Sequence, residues 1–260
     1  MSSAERPITL MTYNVKNPDP AHDWPARLPV LLEIVRRHDP DVLCVQEAFD
    51  HQMDDLRAGL PDHRDVGQGR EGGTAGEHAA VFFRRDRLRP VEHGSFWLSD
   101  TPDEPASNTW GSVFPRIVNH ARFVDVDGEA FTLVTTHLDH EEGPHGDEVR
   151  AKSAALIVER TGAVDGPVVV AGDCNEPAGV GRASAVFVGA GFTDAWEVAG
   201  DPEDRTATFN DWQPPVASGE RIDWVYTRGV RAVERVVIDH DGPETWFASD
   251  HFPVVATIRV

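Results

Sequence analysis

Eight polar residues stand at the ends of apolar, β-type runs, where a side chain is held by a rigid strand and still reaches solvent. Asn14 ends ITLMTYN, Glu47 ends DVLCVQE, His137 ends FTLVTTH, and Asp173 and Asn175 end PVVVAGDCN. Asp223 lies at the start of IDWVYTR, and Asp250 and His251 precede FPVVATIRV. Carboxylate and amide oxygens are the ligands a hard cation takes, and imidazoles move protons near neutral pH. Taken alone, each position also reads as a turn or loop residue, since strand ends are where those residues belong. The chemistry rests on the whole set occurring together.

The elements that must position this set are mostly strands. Ten short runs rich in Val, Ile, Phe, Trp and Thr are bounded by Gly, Pro and Asp. Two of them predict a hairpin, with strand 116–126, a turn at Asp127-Gly128 and strand 130–137. Helical patterns fall between strands. Segment 25–38 puts Leu28, Leu31, Leu32 and Val35 on one face. Segment 147–160 carries Val149, Leu156 and Ile157, with Asp147 and Glu148 near its N-terminus, where the helix dipole favours negative charge. A shorter helix is expected over 180–190. Many strands with few helices predict an α/β fold of the α+β type. It would be a four-layered sandwich, two packed, mainly antiparallel or mixed β-sheets flanked by helices, in a single domain over 1–260.

Composition narrows the function. The 260 residues are 40% hydrophobic and carry a formal net charge of −20. That balance argues against tight non-specific binding to nucleic acid, which draws on Lys and Arg at phosphates. It does not exclude a local basic pocket. Lys16 and Lys152 are the only lysines, and arginine supplies the remaining positive charge. Two cysteines, Cys44 and Cys174, make no disulfide framework and predict free thiols. Neither a signal peptide nor a membrane-length apolar run is visible, so a soluble cytoplasmic protein is expected. The Gly-rich segment 65–78 lacks the Gly-Lys-Ser/Thr ending and the following helix of a phosphate-binding loop, and reads as a flexible loop near the site.

Eight segments, in order, carry a resemblance: TYNV (12–15), VQE (45–47), GE (76–77), PRI (115–117), THLDH (136–140), GDCN (172–175), RIDWV (221–225) and SDH (249–251). Through them the chain resembles the endonuclease/exonuclease/phosphatase superfamily, including its bacterial branch and the pancreatic-type deoxyribonucleases. The resemblance implies a metal-dependent phosphoesterase. Glu47, Asn14 and Asp250 would bind Mg²⁺ or Mn²⁺. Asp173 would orient or deprotonate the attacking water, and Asn175 would donate to the phosphoryl group. Asp223 and His251 would form a carboxylate–imidazole pair, with His251 accepting the water's proton or binding phosphoryl oxygens. Glu77 and His137 would form a second such pair on the leaving-group side, and Arg116 would approach the phosphate.

Several other residues stay open. Asp139 and His140 do not reproduce a helical zinc site and read as rim residues. Arg150 reads equally as an anion clamp or a solvated helix charge. His120 stands where an aromatic residue is expected, and Trp97, Trp110, Trp212 and Trp246 read as stacking or core residues. The acidic charge favours a small phosphorylated substrate such as a nucleotide, sugar phosphate or lipid head group, with no membrane partner. A DNA or RNA nuclease is the alternative. A non-catalytic binding module, or a hydrolase of a non-phosphate ester, completes the set.

Overall fold

The computed structural model describes residues 6–215, 219–241 and 247–260. In chain order its elements are β1 (Ile8–Asn14), α1 (Trp24–His38), β2 (Val42–Ala48), α2 (Asp50–Gly59), β3 (His63–Val66), β4 (His78–Arg84), β5 (Leu88–Trp97), β6 (Ile117–Asp125) and β7 (Ala130–His137). There follow α3 (Pro144–Thr161), β8 (Val168–Asp173), α4 (Arg182–Gly189), β9 (Thr193–Asp194), α5 (Ala195–Ala199), β10 (Asp223–Arg228), β11 (Ala232–Ile238) and β12 (Val254–Arg259). They build two six-stranded sheets, ordered β11-β12-β1-β2-β4-β3 and β5-β6-β7-β8-β10-β9. The pairs β1/β2 and β7/β8 are parallel. Every other strand pair is antiparallel.

Strand alternation sorts the apolar residues into three packed layers. Ile8, Leu10, Val42 and Cys44 of one sheet meet Phe123, Leu133, Val169 and Val225 of the other. Met11, Tyr13, Leu43 and Val45 face outward onto Leu31, Leu32, Val35, Met53 and Leu56 of α1 and α2. On the opposite side Val134, Val170 and Trp224 pack on Ile157 of α3 and Phe187 of α4. The expected sandwich of two mixed sheets flanked by helices is the observed architecture. Among the described residues no helix is long and apolar enough to cross a membrane.

Some boundaries differ from expectation. α3 begins a turn before 147, because Pro144 sits in its first turn, where a missing N–H does no harm. α2 escaped the periodicity reading because Gln52, Met53 and Leu56 are its only buried residues. The hairpin is present, β6 and β7 turning through Gly128 at φ 93°. Segment 65–78 is no open loop. Gly69 N donates to Gly73 O, Glu71 N to Ala75 O and Arg70 N to Glu77 O, so the turn closes on itself.

Candidate active site

The site continues the inter-sheet core toward one edge of the sandwich. Along β1 the inward positions run Ile8, Leu10, Thr12, Asn14, and along β8 they run Val169, Ala171, Asp173. Register places His137 level with Asp173, and Asp173 level with Asp223. Between the apolar layer and this rim lies a buried polar one, where Gln46 Nε2 donates to Thr12 Oγ1 and Thr135 Oγ1 at 3.2 and 3.3 Å. Strict alternation would send Glu47 to the outer face, opposite Gln46. A β-bulge between Val45 and Ala48, with Glu47 at φ 65°, turns it back toward the cleft. A left-handed glutamate is strained. The resulting cleft, of about 510 Å³, is lined by Glu47, His137, Asp173, Asn175, Asp250 and His251 among others.

Asn14 joins the two sheets here. Its Nδ2 donates to Glu47 Oε1 and Asp173 Oδ2, both at 2.9 Å, while its Oδ1 accepts the Lys16 N–H. Two carboxylates can be met only by the NH₂ end of an amide. Asn14 thus bridges Glu47 and Asp173 through its amide nitrogen. Asp173 Oδ1 accepts the Asn175 N–H at 2.9 Å, and Asn175 Nδ2 donates to Leu138 O. His251 Nδ1 lies 2.8 Å from Asp223 Oδ2, and its Nε2 lies 3.6 Å from Asp173 Oδ2. Burial works against the imidazolium, but Asp223 and Asp173 outweigh it and push His251 up to about 10. Burial raises Asp173 to about 7, the His251 charge opposing and the Asp223 charge adding to the rise.

Glu47 and Asp250 face a common cation. Lys16 Nζ stands 3.0 Å from Asp250 Oδ2 and 3.8 Å from Glu47 Oε2. Burial disfavours ionised Glu47, yet the Lys16 charge and the Asn14 hydrogen bond hold its carboxyl below the ordinary range. Beside this pair, one ligand atom each of Glu47, His137 and Asp173 lie within 4.8 Å of one another, a carboxylate-rich set that fits a divalent ion. Lys16 itself is positioned by Arg27, which was not evident in the sequence. Arg27 is 1% exposed. All five of its N–H directions are used on carbonyls, those of Val15, Lys16, Asn17, His22 and Ala248, at 2.7–3.2 Å.

The leaving-group side departs from expectation. Glu77 does not pair with His137. It is held by Arg70 Nη1 and by Asn17 Nδ2 instead. His137 Nε2 faces Asp173 Oδ2 at 3.5 Å. Burial, then the positive charges of Arg116 and His251, push the His137 imidazole well below its ordinary value. Arg116 lines the cleft and donates to His140 Nδ1 at 2.7 Å. His140 lines the cleft beside Phe114, whereas Asp139 is fully buried and accepts the Val113 N–H.

The remaining readings resolve by contact. Arg150 is neither a clamp nor a solvated charge. It is buried and donates to the carbonyls of Asp139 and Glu141, pinning the loop before α3. His120 lines a different cavity, on the outer face of the second sheet. Trp97 is buried, its Nε1 donating to Arg70 O at 2.6 Å. Trp110 bonds Asp100 away from the cleft. Trp212 lines the cleft and stacks on His22 at 3.7 Å. Trp246 lies outside the described residues. Cys44 and Cys174 are buried free thiols, as expected. Lys16, Arg27 and Arg70 are the site residues that sequence reasoning missed. A signal existed only for Lys16, one of two lysines and next to TYNV.

Two mixed six-stranded sheets with helices on both outer faces, and an acidic and imidazole cluster at their shared edge, define a hydrolase-type sandwich. The profile of the Endonuclease/Exonuclease/phosphatase family matches residues 11–251, and the chain belongs to that family. It is similar to a family protein from Bacteroides thetaiotaomicron at 32% identity, covering 97% of this chain and 94% of that one with a TM-score of 0.89. A mannosyl-6-phosphatase of the same organism is 31% identical over 97% of this chain and 100% of its own, with a TM-score of 0.87. D. rerio TDP2, solved with a single-strand DNA product, shares the fold at 16% identity and a TM-score of 0.77, covering 98% and 100% of the two chains. No curated protein sequence matches the chain significantly.

Proposed function

We propose that the protein is a divalent-metal-dependent hydrolase of a small phosphorylated molecule, with a sugar phosphate favoured. The observation that carries this is the continuity of the buried network. Asn14 ties the cation-facing Glu47 to Asp173, and Asp173 lies against the Asp223–His251 pair. A base, a charged donor and a cation site thus converge on one cleft. Glu47 and Asp250 would hold Mg²⁺ or Mn²⁺, which when bound neutralises charge on phosphoryl oxygens.

Asp173 takes the proton of the attacking water, its carboxyl lying near neutrality as a general base requires. His251, kept as imidazolium by Asp223, donates Nε2–H to a phosphoryl oxygen rather than accepting the water's proton. Asn175 and Arg116, which line the same cleft, donate to the phosphoryl group. His137 also lines the cleft and acts on the leaving side, protonating the leaving oxygen or stabilising the charge that develops there. The net charge of −20 weighs against a polyanionic nucleic acid. The similar protein named as a mannosyl-6-phosphatase supports a phosphorylated sugar.

A screen of sugar phosphates, nucleotides, oligonucleotides and carboxylic esters with Mg²⁺ or Mn²⁺ tests this. Sugar phosphates are expected to turn over, and EDTA to abolish the rate. Faster cleavage of oligonucleotides, turnover of carboxylic esters alone, or no turnover of any ester would each overturn the reading.

A further inference from the structure

Two arginines in the cleft carry donors that the protein itself does not use. Arg70 and Arg116 are 7% and 2% exposed, and both line the cleft. Arg70 is delivered by the self-closed turn 67–77 and held on both sides. Trp97 Nε1 donates to its carbonyl, and its guanidinium lies 4.1 Å from the Phe114 ring. Nη1 of Arg70 meets Glu77, and Nη2 of Arg116 meets His140. Nε of each arginine is buried without a hydrogen-bond partner. Among the described residues, no hydrogen bond reaches Nη2 of Arg70 or Nη1 of Arg116. Glu77 meets Arg70 through one oxygen and Asn17 through the other, and Asp139 stands 3.9 Å from Arg116 without a hydrogen bond to it. Charged donors left buried and unmatched are destabilising unless an acceptor arrives with a ligand.

The shape behind the pair limits what that ligand is. The space there is about 10 Å³, bounded by His78, Ala79, Pro115 and Ile117. That volume is about one water and admits no organic substituent. A terminal phosphate suits this wall, having three peripheral oxygens and a charge of about −1.5 to −2. Guanidinium forks match such oxygens in pairs. A phosphodiester has only two peripheral oxygens and a single charge, so it meets fewer of these donors than a terminal phosphate does.

We propose that Arg70 and Arg116 form a terminal-phosphate clamp that makes this cleft prefer phosphomonoesters to phosphodiesters, Arg70 being the residue that sets the preference. The inference rests on the phosphoester reading above and names its substrate class. Calorimetric binding of inorganic phosphate and of diethyl phosphate at pH 8, with Mg²⁺ present, tests it without requiring turnover. The wild type is expected to bind inorganic phosphate at least roughly tenfold more tightly than diethyl phosphate. In Arg70→Gln, affinity for inorganic phosphate should fall roughly 10- to 100-fold, the range of a lost charged hydrogen bond, with diethyl phosphate binding changed far less. Equal wild-type affinity for the two anions overturns the clamp, and that comparison needs no variant to fold. So does an equal loss for both anions in a folded Arg70→Gln, or unchanged phosphate binding there. Failure of the substrate screen with this discrimination intact would instead remove the hydrolase reading and leave the clamp standing as a binding site.

Discussion

Replacing Asp173 by Asn should separate activity from stability. Asp173 is 1% exposed and its carboxyl rises from 3.8 to about 7 in the folded protein. The folded state therefore holds this proton more tightly than the unfolded one. Stability from this group is complete below about pH 4 and is lost as pH rises through about 7. At about 1.4 kcal/mol per pKa unit, the ionised side chain costs about 4 kcal/mol at pH 8. Asparagine removes that charge and its Oδ1 can still accept the Asn175 N–H, but its amide then confronts Asn14 Nδ2. A lost buried hydrogen bond costs about 1–3 kcal/mol. The variant should gain about 1–3 kcal/mol over wild type at pH 8, a Tm rise of roughly 2–12 °C, and be equal or less stable at pH 4. Meanwhile kcat should fall by roughly 10²-fold or more and lose its rise through neutral pH. Thermal melts in EDTA at both pH values, with kcat profiles in Mg²⁺, give both readouts. A stability difference that does not change with pH, or near-normal turnover in the pure variant, would refute the argument.

Two further outcomes follow from the same geometry. Glu47→Gln keeps size and the Asn14 contact but removes a charge facing the cation site, so the Mg²⁺ concentration for half-activation should rise roughly 10- to 100-fold; an unchanged activation curve would exclude Glu47 as a ligand. Arg27→Met strips the shared donor from five loop carbonyls, and a loss of about 3–5 kcal/mol is expected, as when a buried charged network is broken. Its Tm should drop by roughly 6–20 °C and its kcat should fall as Lys16 loses its anchor, whereas a drop of only a degree or two would show the carbonyls finding other donors.

Much of this molecule was legible in one dimension because strands write their pattern locally. Alternation along ITLMTYN and PVVVAGD already distinguishes inward from outward residues, and Asn14 and Asp173 end those strands on the inward face. The family, the sandwich and the eight polar positions were therefore readable before any coordinates. What stayed hidden depends on departures from local rule or on contacts between distant segments. Glu47 enters the cleft only because a bulge reverses its facing, which alternation cannot foretell. The partnership of Glu77 with Arg70, and not with His137, was decided by a turn that looked shapeless in sequence. Arg27 sits in an amphipathic helix like any charged residue, and only the fold brings the carbonyls of residues 15–17 and 248 to it. By itself the sequence determined which chemical groups stand at which strand ends, since side-chain identity and strand period are local. The protonation of Asp173, His137 and His251 belonged to the tertiary structure alone, because burial and neighbouring charge exist only once the two sheets have closed on each other.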